Sequence, residues 1–409
     1  MELKTKLQYT YFVYPYVVKE SKYEKYVLKL LKNKKCKLQL ARKEKDLEMY
    51  QFFLPTIRDY LFKSFSFSET KMKRFEKLDL PMKSAILSEY PCTIFEYEIG
   101  QDAQGKVGEE NGIFFRVEKM NIICFNSGIC FLALKTTLND SNNFEDILNF
   151  NYKFREIKSD IKKLKEYENI KIQTSTFNDI KDLSDIIEEL VGNNEYSKGL
   201  DINTNQFYTY SYTCLDQKAW GETNDFSNIE NAFYKYVNVL PSIAHSNYYD
   251  TDMQMLSEGK YVKIGITKTS CNLISSSIDT NNYTKLPSTY ENEYFYTYIV
   301  SLYKKIYLKK MQLDFENLKA KTLTEFIKFT NKLWKYEITN DERGSLLYDK
   351  INKTLGLEME YMQVKSKYEL MYKAIKVDKN AKANKVILAL LVISIIINIV
   401  NMVLVFRKI

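Results

Sequence analysis

Runs of β-branched and aromatic residues alternate with helical periodicity through the first 290 residues. Residues 9–18 (YTYFVYPYVV) predict a strand, and Tyr26, Leu30 and Leu31 lie in a helical pattern after it. Helical stretches follow near 44–63 and 69–90. The segments 92–99, 112–118, 120–126 and 128–138 then succeed one another with Gly, Asn and Asp between them, which predicts a strand meander with short turns. Residues 144–167 and 178–191 are helical by periodicity, and 205–215 reads as a strand. A second meander holds 260–267 and 271–278 before the turn residues of NNYTKLP. The expectation is a mixed α/β or α+β region over 1–290, as one unit or as two lobes near 1–155 and 156–290.

From Tyr294 onward the period changes. Phe295, Ile299, Leu302 and Ile306 recur at steps of three and four, as do Leu323, Phe326, Ile327, Thr330, Leu333 and Trp334, so 291–385 is expected to be a helical stalk. Thr339-Asn340-Asp341-Glu342 has the spacing of a capping box, and no Pro follows it. One helix from Asn340 to Phe406 is the expectation, roughly 100 Å long at 1.5 Å per residue.

Val386 to Phe406 carries no charge, Pro or Gly and is apolar all round, the pattern of a membrane-spanning helix, leaving 407–409 as a short exterior tail. Before Lys19 there is no apolar run of signal-peptide length. Lys373, Lys376, Lys379, Lys382 and Lys385 outweigh the two basic residues after the span, so the expected location is the cell membrane, single-pass, with the large N-terminal region cytoplasmic. Three-residue steps turn a helix by about 300°, so these lysines form a collar suited to anionic headgroups of the membrane lipid. Within the span, Ser394, Asn398 and Asn401 fall in an arc of about 60°, a polar strip that must face protein or water and therefore points to a homo-oligomer, as a pore lining or a helix interface.

Composition narrows the chemistry. A single His among 409 residues excludes most zinc centres and His-dependent triads, and the reading is a protein that is not an enzyme and uses no cofactor or metal. The net charge of +8 is small and unclustered outside the membrane-adjacent segment, which argues against direct nucleic-acid binding. Six Cys show no C-x-x-C pair and read as free thiols.

The layout of an α/β region, a long helix and the junction YELMYKAIKVDKNAKANKVILALLVISIIINIV (368–400) resembles the funnel, stalk helix and first membrane helix of CorA-type divalent-cation channels. The chain departs from that family in having one span and no Gly-Met-Asn motif. It is most similar to the divergent CorA-like membrane effectors that accompany type III CRISPR antiviral systems. That resemblance implies a cytoplasmic sensor for a small nucleotide ligand, an adenylated S-adenosylmethionine (S-adenosylmethionine-AMP-like), which acts on the membrane. A CorA-type cation channel and a membrane-tethered scaffold with a passive anchor are the alternatives.

Candidate ligand residues are few. Gly100 to Lys106 fits G-x-x-x-x-G-K after a strand, but Val107 replaces the Ser/Thr that holds magnesium and no helix follows, so a connecting loop is the simpler reading. Lys106 and Arg116 remain candidates for meeting a phosphate from adjacent strands. Asp216, Gln217 and Trp220 follow a strand end, where α/β sheets place ligands. The aromatic runs 207–212 and 294–298 could stack a base, although core is the plainer assignment. His245 lies in a polar loop, where an imidazole is ordinarily solvated.

Overall fold

The computed structural model describes the chain except residues 1–2, 40–46, 63–68, 109–111, 139–140, 157–169, 177–178, 193–199, 201, 203–204, 223–224, 246–252, 318–320, 336 and 407–409; the side chains of 69, 379 and 398–406 are also outside the description. Its centre is one 12-stranded sheet. The strands are β1 (Thr5–Val17), β2 (Cys36–Leu38), β3 (Cys92–Tyr97), β4 (Gln104–Val107), β5 (Ile113–Phe125), β6 (Ile129–Thr137), β7 (Ile170–Gln173), β8 (Lys181–Asp182), β9 (Tyr208–Leu215), β10 (Gln254–Gly259), β11 (Val262–Ile266) and β12 (Ser270–Ser276). The order is β10-β11-β12-β9-β1-β6-β5-β4-β7-β8, with β3 also on β5 and β2 on β3. Pairing is antiparallel throughout except between β9 and β12. Strands from 1–155 and from 156–290 therefore share one sheet, because β1 pairs with β9 and β4 with β7.

Strand periodicity sorts the side chains into two cores. On β1, Tyr9, Tyr11, Val13 and Val17 face one core while Phe12, Tyr14 and Tyr16 face the other. The first core is roofed by helices Leu47–Phe52, Pro55–Phe62, Phe295–Glu316, Lys321–Lys332 and Glu342–Leu355, and the second by Glu20–Lys32, Leu80–Glu89, Phe144–Arg155, Leu183–Val191 and Glu230–Asn238. Two details show how the sheet tolerates its own sequence. Pro15, which cannot donate to a ladder, lies beyond Val13, where the pairing with β9 ends, so its missing N–H leaves no gap. A bulge between Val117 and Lys119 shifts the phase of β5, letting odd-numbered Val117 and even-numbered Met120, Ile122 and Cys124 enter the same core.

The helical region beyond 290 is present but is built differently from a free stalk. Helix Phe295–Glu316 buries 16 of its 22 residues, so it is a core element lying on the sheet. Gly356, at φ 68, ends helix Glu342–Leu355 in the left-handed conformation, and Leu357–Phe406 starts as a separate helix, so the unbroken 340–406 helix expected from the missing Pro is divided. The cap is Asp341, which accepts from the Gly344 amide at 2.7 Å, and Thr339 bonds the Phe52 carbonyl in place of a capping box. In helix Leu357–Phe406, Leu357 and Val364 are buried and Tyr361, Tyr368 and Met371 pack against the first core. Beyond them the residues are mostly exposed; Val386, Leu388 and Leu391 are 60, 64 and 55 % exposed. This helix is long and apolar enough to cross a membrane once. All six Cys are buried and free.

Burial on the sheet yields a stability contrast. Phe12, fully buried and stacked on Phe154 at 4.0 Å between centroids, should lose about 3–5 kcal/mol as Phe12→Ala in urea unfolding of the detergent-solubilised protein. Phe114, 60 % exposed on β5, should change by less than about 0.5 kcal/mol as Phe114→Ala. Equal losses at both positions would contradict the two-core assignment.

Candidate functional site

At the β10 edge of the sheet lies a cleft of ≈ 610 Å³. Its walls come from four segments: the β10–β11 hairpin (Glu258, Lys260, Tyr261), the chain after β12 (Asp279, Asn282, Lys285), Glu293 and Tyr294 at the end of the turn Tyr290–Tyr294 that precedes helix Phe295–Glu316, and Asp341 with Arg343 at the start of helix Glu342–Leu355. Local chemistry explains why these segments meet. Asn282 is buried and its amide donates to the Ser276 and Tyr261 carbonyls at 2.9 and 3.3 Å, fastening the chain after β12 to the hairpin. Tyr290–Tyr294 is a π-helical turn, a wider coil that shifts the following helix relative to the one before it.

Glu258 is the central group. Its side chain is 4 % exposed; Oε1 accepts from the Tyr294 hydroxyl at 2.8 Å and lies 3.6 Å from the Arg343 guanidinium. Oε2 is buried with no hydrogen-bond partner among the described residues. Burial raises its carboxyl above the ordinary range, opposed by the Tyr294 bond and the Arg343 charge. Glu293 is pushed up to about 7 by burial, with Glu48 and Asp341 adding like charge. Lys260, Lys285 and Arg343 are exposed, and so are Asp279 and Asp341, so the cleft has the carboxylates Glu258 and Glu293 further in and a mouth of mixed charge, with three cations beside two carboxylates. A volume of this size fits a nucleotide-sized ligand.

The residues singled out from sequence lie elsewhere. Lys106 and Arg116 are on one face of β4 and β5, Lys106 opposite Phe114 and Arg116 opposite Gln104. Arg116 is exposed, and Lys106 lies 6.0 Å from the Phe114 ring. The P-loop-like spacing ends in a strand: a Cβ on Gly105 would sit 2.2 Å from the Phe115 ring, so this glycine serves sheet packing. Asp216 and Gln217 follow β9, whereas Trp220 is 2 % exposed and packs on Phe226 at 5.5 Å in the second core. Strands β1 and β6 separate β9 from β5, about 14 Å across three strand spacings, so the two predicted groups do not form one pocket. The aromatic runs 207–212 and 294–298 are mostly in the first core. His245 is exposed. Ser394 is exposed on the terminal helix, and the side chains of Asn398 and Asn401 lie outside the described residues. Lys373, Lys376, Lys382 and Lys385 are exposed there, Lys382 pairing with Asp378 at 2.8 Å; the Lys379 side chain is outside the description.

Sequence reading missed the cleft because β10 carries no strong strand signal and each contributing segment looks like an ordinary turn. No protein-family model, curated protein or solved structure matches the chain.

The raised Glu293 carboxyl has a measurable sign. The fold prefers its protonated form, so the contribution to stability is full below the ordinary value of 4.5 and is lost as pH rises through about 7. Glu293→Gln removes that loss. Its melting temperature should match the parent near the ordinary value and exceed it above the folded one, as read by thermal melts across that range; a constant difference would exclude the effect.

Proposed function

We propose that the chain is a ligand-gated membrane effector. In this reading it is an oligomer anchored by helix Leu357–Phe406, with the large N-terminal region on the cytoplasmic side. The cleft takes a nucleotide second messenger of the S-adenosylmethionine-AMP type, and occupancy opens a pore or disrupts the bilayer in antiviral defence. One observation carries the reading: the cleft is bounded on one side by the sheet edge and on the other by the approaches to two helices, Phe295–Glu316 and Glu342–Leu355, and the terminal helix packs on both. A ligand phosphate at Arg343 competes with Glu258 for the guanidinium and so acts at the point where sheet and helices meet. The lysine collar supports the orientation, and the Ser394, Asn398 and Asn401 strip supports association of several copies.

Dye-loaded anionic liposomes carrying the full chain test the reading. The adenylated S-adenosylmethionine should release dye where AMP and ATP do not, and Asn398→Leu with Asn401→Leu should insert yet stay tight. Arg343→Ala should weaken calorimetric affinity roughly 10- to 150-fold, the equivalent of about 1.5–3 kcal/mol for a charged hydrogen bond. Binding without leakage would leave a passive anchor, and no nucleotide binding would remove the sensor.

A further inference from the structure

The cleft's charges are arranged by depth, and the arrangement restricts what fills it. Glu258 is deep, with one carboxylate oxygen held by Tyr294 and the other, buried, accepting no hydrogen bond among the described residues. A buried acceptor left unmatched is costly, and a donor that reaches it recovers that cost. Arg343 does not provide the match, since its side chain is 66 % exposed and its nearer contact, at 3.6 Å, is to Oε1. Glu293 adds a second carboxylate at intermediate depth, and Lys260 and Lys285 join Arg343 at the mouth, where they outnumber the exposed carboxylates Asp279 and Asp341.

A plain anion would find the three cations but would bring its charge toward Glu258 and Glu293. A plain cation would satisfy Glu258 and leave the excess of cations at the mouth without an added anion. Among the described residues no group of three or more His, Cys, Asp and Glu is placed to hold a metal ion. We propose that the cleft binds an amphoteric ligand, with an ammonium or other N–H-rich cationic group against Glu258 and a phosphate or carboxylate at Arg343, Lys260 and Lys285. The inference rests on the reading of this cleft as the ligand site and adds the polarity in which the ligand lies. As the cationic group takes over Glu258, Arg343 is released to the anionic end, so the two ends favour one another's binding.

Thermal melts of the full chain test this, with 2-aminoethyl phosphate as probe and ethanolamine and inorganic phosphate as its halves, all at equal concentration. In maltoside micelles, 2-aminoethyl phosphate should raise the melting temperature by more than the two halves summed. Glu258→Gln, which retains an oxygen for the Tyr294 bond, should melt no lower than the parent, keep the phosphate response and lose the excess. In bilayers containing phosphatidylethanolamine, a response already saturated would identify a lipid headgroup as the source of the same chemistry, whereas an undiminished response would identify a soluble ligand. If inorganic phosphate alone equals the probe and Glu258→Gln changes nothing, the site is a plain anion site: the polarity is wrong while the sensor reading stands. No response to any probe, or a lower melting temperature for Glu258→Gln alone, also overturns the proposal, and nucleotide calorimetry then judges the sensor reading separately.

Discussion

The seating of one short turn, Tyr290–Tyr294, on the sheet governs how the rest of the molecule is arranged. Burying a tyrosine calls for a partner for its hydroxyl, and three of the sheet's tyrosines find theirs on this turn and its approach. Tyr9 donates to the Pro287 carbonyl, Tyr11 to Glu291 and Tyr210 to the Tyr290 carbonyl, each at 2.7 Å. Tyr290 returns a bond to the Cys271 carbonyl at 2.7 Å and stacks on Tyr210 at 4.2 Å. Lys135 closes the set with Glu291 at 2.8 Å. Each bond is worth only about 1 kcal/mol net, but together they fix where the chain leaves the sheet and where its longest buried helix begins. Tyr294, the last residue of the turn, donates to Glu258, so the turn's last two residues, Glu293 and Tyr294, line the cleft.

From that point the contacts run outward in order. Helix Phe295–Glu316 meets Glu342–Leu355 through Ser301 and Asn352 at 3.0 Å and through Lys304, whose amine donates to the Tyr348 hydroxyl. Burial pushes Lys304 down to about 7, so this helix contact holds an amine close to its own midpoint at neutral pH. The terminal helix is held by Trp334 stacked on Tyr361 at 4.2 Å, by Phe326 against Tyr368 at 5.0 Å and by Gln312 with Glu360 at 2.6 Å. Beyond Met371 this packing ends. Residues 372–385, about 21 Å of mostly exposed lysine-rich helix, then separate the folded body from the apolar segment.

How much of this the sequence discloses depends on the range of the interaction concerned. The apolar terminal segment and the strands 9–18 and 128–138 are legible because an unbroken apolar run and a β-branched, aromatic run are local patterns. The break at Gly356 is a weaker case: glycine is tolerated within a helix, and only its left-handed φ of 68 decides the end. The cleft is illegible for a different reason. Glu258-Gly259-Lys260 reads as a polar hairpin, and the burial of Glu258 is created by Tyr294 and Arg343, 36 and 85 positions further on. Conversely, Trp220 looks like a pocket residue from its place after a strand, yet Phe226 and Tyr261 enclose it. The tyrosines of the sheet, for which core is the plainer assignment from sequence, also fasten it through their hydroxyls to the turn that precedes helix Phe295–Glu316.

The central claim is that Tyr294 joins the cleft to both helices that support the terminal one. Hydrogen exchange of the bilayer-embedded chain, comparing the parent with Tyr294→Phe, tests it directly, because the substitution removes a single hydroxyl. The account predicts faster exchange at 290–300 and at 342–350 together, with the amides of β1 and β6 unchanged. Acceleration confined to the β10–β11 hairpin, or none, would contradict it.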